Sequence, residues 1–412
     1  MADGPARVDD LGVAHARLIS EIEGLLPSVI ELSEFIHDNP ELGYEEHLAS
    51  ARLTGMLEDS GFVVERGLDD LATAFRARAG APAAPRLAFI AEMDALPKLG
   101  HGCGHSMAGP TAVCAAIALL RAGLPGGSVE VIGTPAEEIA PPVKRRLVEH
   151  GIFDGLDAVM MVHAADRTAV GGITLAAQSM RLVFHGRSSH ASSTPDQGIS
   201  ALDAAVLTMH ALELLREHVA PDTRIHGTVT DGGGAPNVVP ARAELTYMIR
   251  TPRTEYLPEL TTRVIACAEG AAHAVGATVD IVPMGTWDAR YNVPLLNDLL
   301  LENAIASGAF AVMDASERSG STDFGTVTRY LPAATLKLPL VDVGVAGHSL
   351  AYVEAGKGPR ADQCIAIGAK ALALTSFELL SRPDLVARIH EQFAAGRSER
   401  NSADQMEAAA HE

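Results

Sequence analysis

The chain has 412 residues, which at roughly 150 per domain allows two or three domains, and its 47% apolar and 20% charged content excludes intrinsic disorder for most of its length. Its 52 acidic against 32 basic residues leave a formal charge of −20, which works against binding nucleic acid or an anionic membrane surface through bulk charge. An aromatic content of 4%, with one Trp, argues against a stacking platform for bases.

Helix and strand patterns alternate through the first half. Helices are predicted over 12–37 and 45–60, the first ending before Asn39-Pro40 and the second stopped by Gly61. Strand-like runs follow at 72–78, 87–91, 129–133 and 158–162, with a helical pattern over 107–122. That alternation predicts an α/β layer on a mainly parallel sheet. The pattern changes near Ala177: strands at 179–185, 224–230, 242–250 and 278–283 frame long helices at 198–219 and 255–275. Two helices on an antiparallel four-stranded sheet make a small α+β layer inserted in the first domain. A helix at 295–307, a strand at 333–338 and a helix at 360–381 return the chain to that domain. The expected division is 1–178 with 293–396 as one discontinuous domain and 179–292 as the insertion. Residues 1–10 and 397–412, polar and without clear periodicity, read as tails. The N-terminus has no basic region followed by an apolar run, so no signal peptide is expected and the cytoplasm is the default location. The longest nearly apolar stretch, around 107–120, is too short for a membrane span. The four cysteines show no paired spacing, so no disulfide framework is expected.

Four places carry chemistry. Cys103 and His105 stand one residue apart in a Gly-rich turn between a strand and a helix; a thiolate and an imidazole are good transition-metal ligands, although a buried Cys is also ordinary core. The turn lacks the Walker Lys-Ser/Thr and the dinucleotide glycine spacing. Glu137 and Glu138 follow the strand at 129–133. One acid can bind metal while its neighbour takes a proton from water, or both can be a solvated helix N-terminus. His163 ends an apolar strand, where an isolated His is more often a packing residue than a ligand, and His348 follows a later strand. Together all these positions fall after strands of one α/β layer, where ligand sites collect.

On these motifs the chain resembles the aminoacylase and glutamate-carboxypeptidase family of two-metal amide hydrolases, near the branch of p-aminobenzoyl-glutamate hydrolase and related dipeptidases. His37-Asp38-Asn39-Pro40-Glu41-Leu42-Gly43, Glu92-Met93-Asp94-Ala95-Leu96-Pro97, Gly100-His101-Gly102-Cys103-Gly104-His105, Thr134-Pro135-Ala136-Glu137-Glu138 and Gly320-Ser321-Thr322-Asp323-Phe324-Gly325 carry the likeness across nearly the whole chain. Ser106 departs from it, standing where relatives commonly have Asp or Asn. The resemblance implies that Cys103, His105, Glu138, His163 and His348 hold two divalent ions, zinc or manganese. It implies Glu137 as general base of a metal-activated water. It makes the insertion a lid and dimerisation domain, with His190 contributing to a neighbouring active site and Asn237 and Arg250 contacting substrate. From the residues alone, the alternative readings are a polar loop residue for His190 and a surface charge for Arg250. The expected protein is a homodimer or higher homo-oligomer, binding neither nucleic acid nor membrane. The expected function is hydrolysis of an amide bond in a small molecule of N-acyl amino acid, dipeptide or aminobenzoyl–amino acid type. Two other readings keep the scaffold: an aminohydrolase releasing ammonia from an aromatic amine, and a non-catalytic binding protein.

Overall fold

The first helix shows how the sequence builds the larger unit. Leu18, Ile22, Leu25, Val29, Leu32 and Ile36 recur at steps of four and three, so one stripe of the helix is buried while its flanks stay polar. The computed structural model describes residues 8–82, 85–316 and 320–410, and side chains from 12 to 397 within them.

In chain order the elements begin with α1 (Val8–Asp38), α2 (His47–Asp59), β1 (Val63–Arg66), β2 (Phe75–Gly80) and β3 (Arg86–Glu92). They continue with α3 (His105–Ala122), β4 (Ser128–Thr134), α4 (Val143–Glu149), β5 (Ala158–Ala165) and β6 (Ala169–Val170). The insertion supplies β7 (Ala176–His185), α5 (Ala201–Leu215), β8 (Arg224–Asp231), β9 (Arg242–Thr251), α6 (Leu257–Ala274) and β10 (Thr278–Trp287). The chain then adds α7 (Pro294–Ala306), α8 (Phe324–Tyr330), β11 (Ala333–Pro339), α9 (Leu350–Ala355), α10 (Pro359–Ser381) and α11 (Pro383–Ala410).

Seven strands form one sheet in the order β1-β2-β4-β3-β5-β11-β6. The central four, β4, β3, β5 and β11, run parallel, and antiparallel strands close both edges. The parallel strands are buried nearly throughout, as strands covered on both faces must be. Their shared direction puts the carboxyl ends of β3, β4, β5 and β11 on one side, where the loops bearing the chemistry emerge. Among the described residues one helix, α10, is long and apolar enough to cross a membrane, contrary to the expectation that no such stretch exists; 78% of its apolar window is buried inside the protein. It packs against α1, α3 and α7, which accounts for its composition as core helix.

By contacts the chain divides into two compact units, of which the second spans Ile173–Arg290 together with the short segment ending at Gly325. In it β10-β7-β9-β8 form a wholly antiparallel sheet. β9 alternates buried and part-exposed positions along its length, so Leu245, Tyr247 and Ile249 meet α5 and α6 on one face while Met248 and Arg250 line the other. α5 starts at a true N-cap, with the Ser200 hydroxyl accepting from the Asp203 N–H at 3.1 Å. Its helix stops at Leu215 and tightens into one 3₁₀ turn, short of the predicted 219.

The edge strands β1 and β6 and the helices α4, α8 and α9 were not predicted, because each is too short to show a period. α11 runs on to Ala410 where a tail is expected from 397; residues 1–7 of the other expected tail lie outside the described residues. Ala, Glu, Gln and Met around 405–410 are strong helix formers without an apolar stripe, so periodicity does not reveal them. All four cysteines are free.

Candidate metal centre

The Gly-rich turn after β3 is held by sterics. Gly104 has φ 85°, and a Cβ there would lie 2.4 Å from the Ala164 Cβ, so only Gly lets the turn close against β5. His105 then opens α3, completely buried. Its Nδ1–H donates to Asp94 Oδ1 at 2.9 Å, with the Asp94 carbonyl at 3.1 Å. That leaves Nε2 as the free ring nitrogen, turned inward. The other carboxylate oxygen of Asp94 accepts the Glu138 N–H at 2.8 Å, so one buried acid orients two chemical groups. On β5, His163 donates Nδ1–H to the Ala164 carbonyl at 2.7 Å, and its Nε2 faces Cys103 Sγ at 3.5 Å. His348, at φ 56°, donates its backbone N–H to the Gly102 carbonyl at 3.0 Å, which ties its loop to the turn. Its Nε2 lies 3.4 Å from Glu138 Oε2.

The five expected ligands therefore converge, in two overlapping groups. Cys103, His105 and His163 offer atoms within 4.8 Å of one another, and so do Cys103, Glu138 and His348. Glu137 joins His105 and Glu138 in a third group of the same size. The donor set of a thiol, three imidazoles and carboxylates suits a borderline transition metal such as zinc. Two nitrogen or oxygen ligands of one tetrahedral zinc lie about 3.3–3.4 Å apart, and a thiolate and an imidazole about 3.5–3.6 Å; the gaps of 3.4 Å between His348 and Glu138 and 3.5 Å between Cys103 and His163 fit. His105 Nε2 and Glu138 Oε1 are buried with no hydrogen-bond partner, which is costly unless a cation takes them.

Electrostatics agree. Burial pushes the Cys103 thiol far above its ordinary range, so it becomes a thiolate only where a cation replaces its proton. Burial opposes ionisation of Glu138, but its contact with the His348 imidazole, and the positive charge that His105 carries whenever a proton rather than a metal cation sits on its Nε2, prevail and hold its carboxyl at about 2. Burial lowers His163, keeping its ring neutral and ready to ligate.

Sequence reading left three supports without a role. Glu46, fully buried, accepts the Thr73 hydroxyl at 2.8 Å and the Ala136 N–H at 2.7 Å, holding Ala136 at φ 56° just before Glu137. Gly43, whose Cβ would meet Ala136 Cα at 2.8 Å, packs the Pro-Glu-Leu-Gly signature under the same turn. Glu92 and Lys144, 1% and 0% exposed in their side chains, pair at 2.8 Å. An acid at the carboxyl end of β3 was a visible signal; a Lys on a short helix 52 residues later was not. Ser106 is buried with its hydroxyl unpartnered. His101 joins none of the ligand groups among the described residues and stacks on His37, ring centroids 6.2 Å apart.

In the inserted unit His190 is exposed, on a bridge to Val238. The backbone N–H groups of Ser192 and Ser193 both donate to its Nδ1 at 3.3 Å. In the neutral ring the proton therefore sits on Nε2, which is left as a donor. Asn237 is exposed, its carbonyl accepting the Ala191 N–H at 3.0 Å, so it lies beside His190. Arg250 is part-buried; its guanidinium contacts the Met248 sulfur at 2.9 and 3.2 Å and makes no ion pair among the described residues. Burial lowers its pKa.

Residues 176–275 match the peptidase dimerisation domain of the M20 family. The mouse Xaa-Arg dipeptidase is 34% identical over 95% of this chain and 94% of its own length. One of the subunits of the p-aminobenzoyl-glutamate hydrolase of Escherichia coli is 29% identical over 88% of this chain and 91% of its own. In fold the chain resembles a Bacillus subtilis dinuclear metal binding peptidase of the M20 family, with a TM-score of 0.66, 21% identity and coverage of 87% and 99%. With a relative of this identity along almost its full length, the chain belongs to the M20 peptidase family and is a metallopeptidase-type hydrolase of amide bonds.

Proposed function

We propose that the protein cleaves the amide bond of a small dipeptide or N-acyl amino acid, including aminobenzoyl–amino acid types, at a centre of two divalent ions. The observation that carries this reading is the overlap of two ligand groups on one thiol, Cys103, with His105 and His163 on one side and Glu138 and His348 on the other. Zinc suits the thiolate, and manganese suits the carboxylate and imidazole ligands. When bound, such ions polarise the substrate carbonyl and acidify a water. Glu137, beside Glu138, takes the proton of the attacking water and returns it to the leaving amine nitrogen as the C–N bond breaks. Arg250, a part-buried cation with no acid partner among the described residues, binds the free carboxylate of the substrate, and Asn237 adds a polar contact. Names of relatives place Xaa-Arg dipeptides and p-aminobenzoyl-glutamate first among substrates to try.

The test is a panel of dipeptides, N-acyl amino acids, p-aminobenzoyl-glutamate and aminoaromatics, run before chelation, after it, and after zinc or manganese is restored. Release of an amino acid that chelator abolishes and metal restores is expected. Ammonia release alone, or activity indifferent to chelator, overturns the reading.

We propose further that the chain is a homodimer in which His190 serves the partner's active site, its Nε2–H stabilising the tetrahedral oxyanion. The match to a dimerisation domain and the tautomer fixed by Ser192 and Ser193 support this. Mixing His190→Ala with Glu137→Gln chains, each inactive alone, is expected to restore activity up to about a quarter of wild type if pairing is random and sites are independent. No recovery after demonstrated subunit exchange means that His190 acts in its own chain or not at all.

A further inference from the structure

The Glu92–Lys144 pair borders the five expected ligands, and Glu92 offers a ligand atom within 4.8 Å of Glu137 and Asp323. Lys144 Nζ lies 2.8 Å from Glu92 Oε1. The other oxygen, Oε2, has no hydrogen-bond partner and faces His105 Nε2 at 3.4 Å. That nitrogen is itself buried and unpartnered, because Nδ1 is committed to Asp94. With the proton off Nε2, a carboxylate oxygen and an imidazole lone pair face each other in the interior and repel, and a metal cation between them takes the proton's place. Their separation equals the His348–Glu138 gap of 3.4 Å and is the spacing of two ligands on one tetrahedral ion, about 3.3–3.4 Å.

We propose that Glu92 is a sixth protein ligand of the centre, binding through Oε2 beside His105, and that Lys144 is a positioning residue that holds Oε1. The inference rests on the metal centre proposed above. Lys144 brings two effects: it keeps Glu92 monodentate, and it offsets one negative charge at a site already holding Glu137 and Glu138.

The purified protein, stripped and reloaded with Zn²⁺ or Co²⁺, is compared with Glu92→Gln. Because that change removes the carboxylate charge beside buried Lys144, Glu92→Gln/Lys144→Gln is measured alongside it. Wild type is expected to hold two ions per chain. Both variants are expected to bind one of them at least about 10- to 100-fold more weakly, the loss that even an outer-shell partner causes, with a changed Co²⁺ absorption spectrum. A folded variant that keeps two ions at wild-type affinity, with the spectrum unchanged, overturns the assignment of Glu92 alone. A wild-type protein that takes up no ion overturns the whole centre, and Glu92 with it.

Discussion

Glu137→Gln is expected to retain its metal ions and lose about 10²- to 10⁴-fold in kcat/KM, the range a positioned general base contributes. The amide fills the space of the carboxylate and keeps its hydrogen-bonding reach, but it cannot take a proton from water. Glu137 neighbours Glu138 in the chain and lies with it and His105 inside one group of ligand atoms. The backbone beneath is fixed independently by the Glu46–Ala136 hydrogen bond, so the substitution leaves the turn intact. Metal content by elemental analysis and rates on the best panel substrate decide the matter. A variant within a factor of about two of wild type removes Glu137 from the mechanism. A variant that loses both activity and ions instead makes Glu137 a ligand.

The sequence discloses the parallel core because β3, β4, β5 and β11 are continuous apolar runs, each closed by the turn or loop that bears chemistry. Parallel direction then makes convergence at one end of the sheet a consequence of topology, so that Cys103, Glu138, His163 and His348 could be grouped before any distance was known. The residues beneath them were hidden for two reasons. Asp94 and Glu46 act through backbone N–H groups 44 and 90 residues away, and no local period encodes such pairings. Lys144 lies in Val-Lys-Arg-Arg-Leu-Val-Glu, which reads as an exposed basic turn, and only the fold reveals that one of its three cations is wholly buried. β1 escaped because Val63–Arg66 is four residues long between two glycines. α5 was overextended because the apolar pattern continues past Leu215, where the backbone has already tightened.

Cys103→Ser is expected to impair both metal positions, whereas His163→Ala is expected to impair chiefly one. The asymmetry follows from the grouping: Cys103 belongs to both ligand groups, and His163 to the first alone. Serine keeps the size of the side chain and suits the Gly102–Gly104 turn, but its hydroxyl gives up its proton far less readily than a thiol and is a poorer match for a borderline-soft ion. Loss of an outer-shell partner already costs about 10- to 100-fold in metal affinity, so loss of a shared ligand is expected to exceed that at both positions. Titration of the stripped variants with Zn²⁺ against a competing chelator gives the two affinities separately from turnover. Near-wild-type binding of two ions by Cys103→Ser would show that the thiol only packs against His163. Equal losses at both positions in His163→Ala would show that the two groups are one site rather than two sharing a ligand.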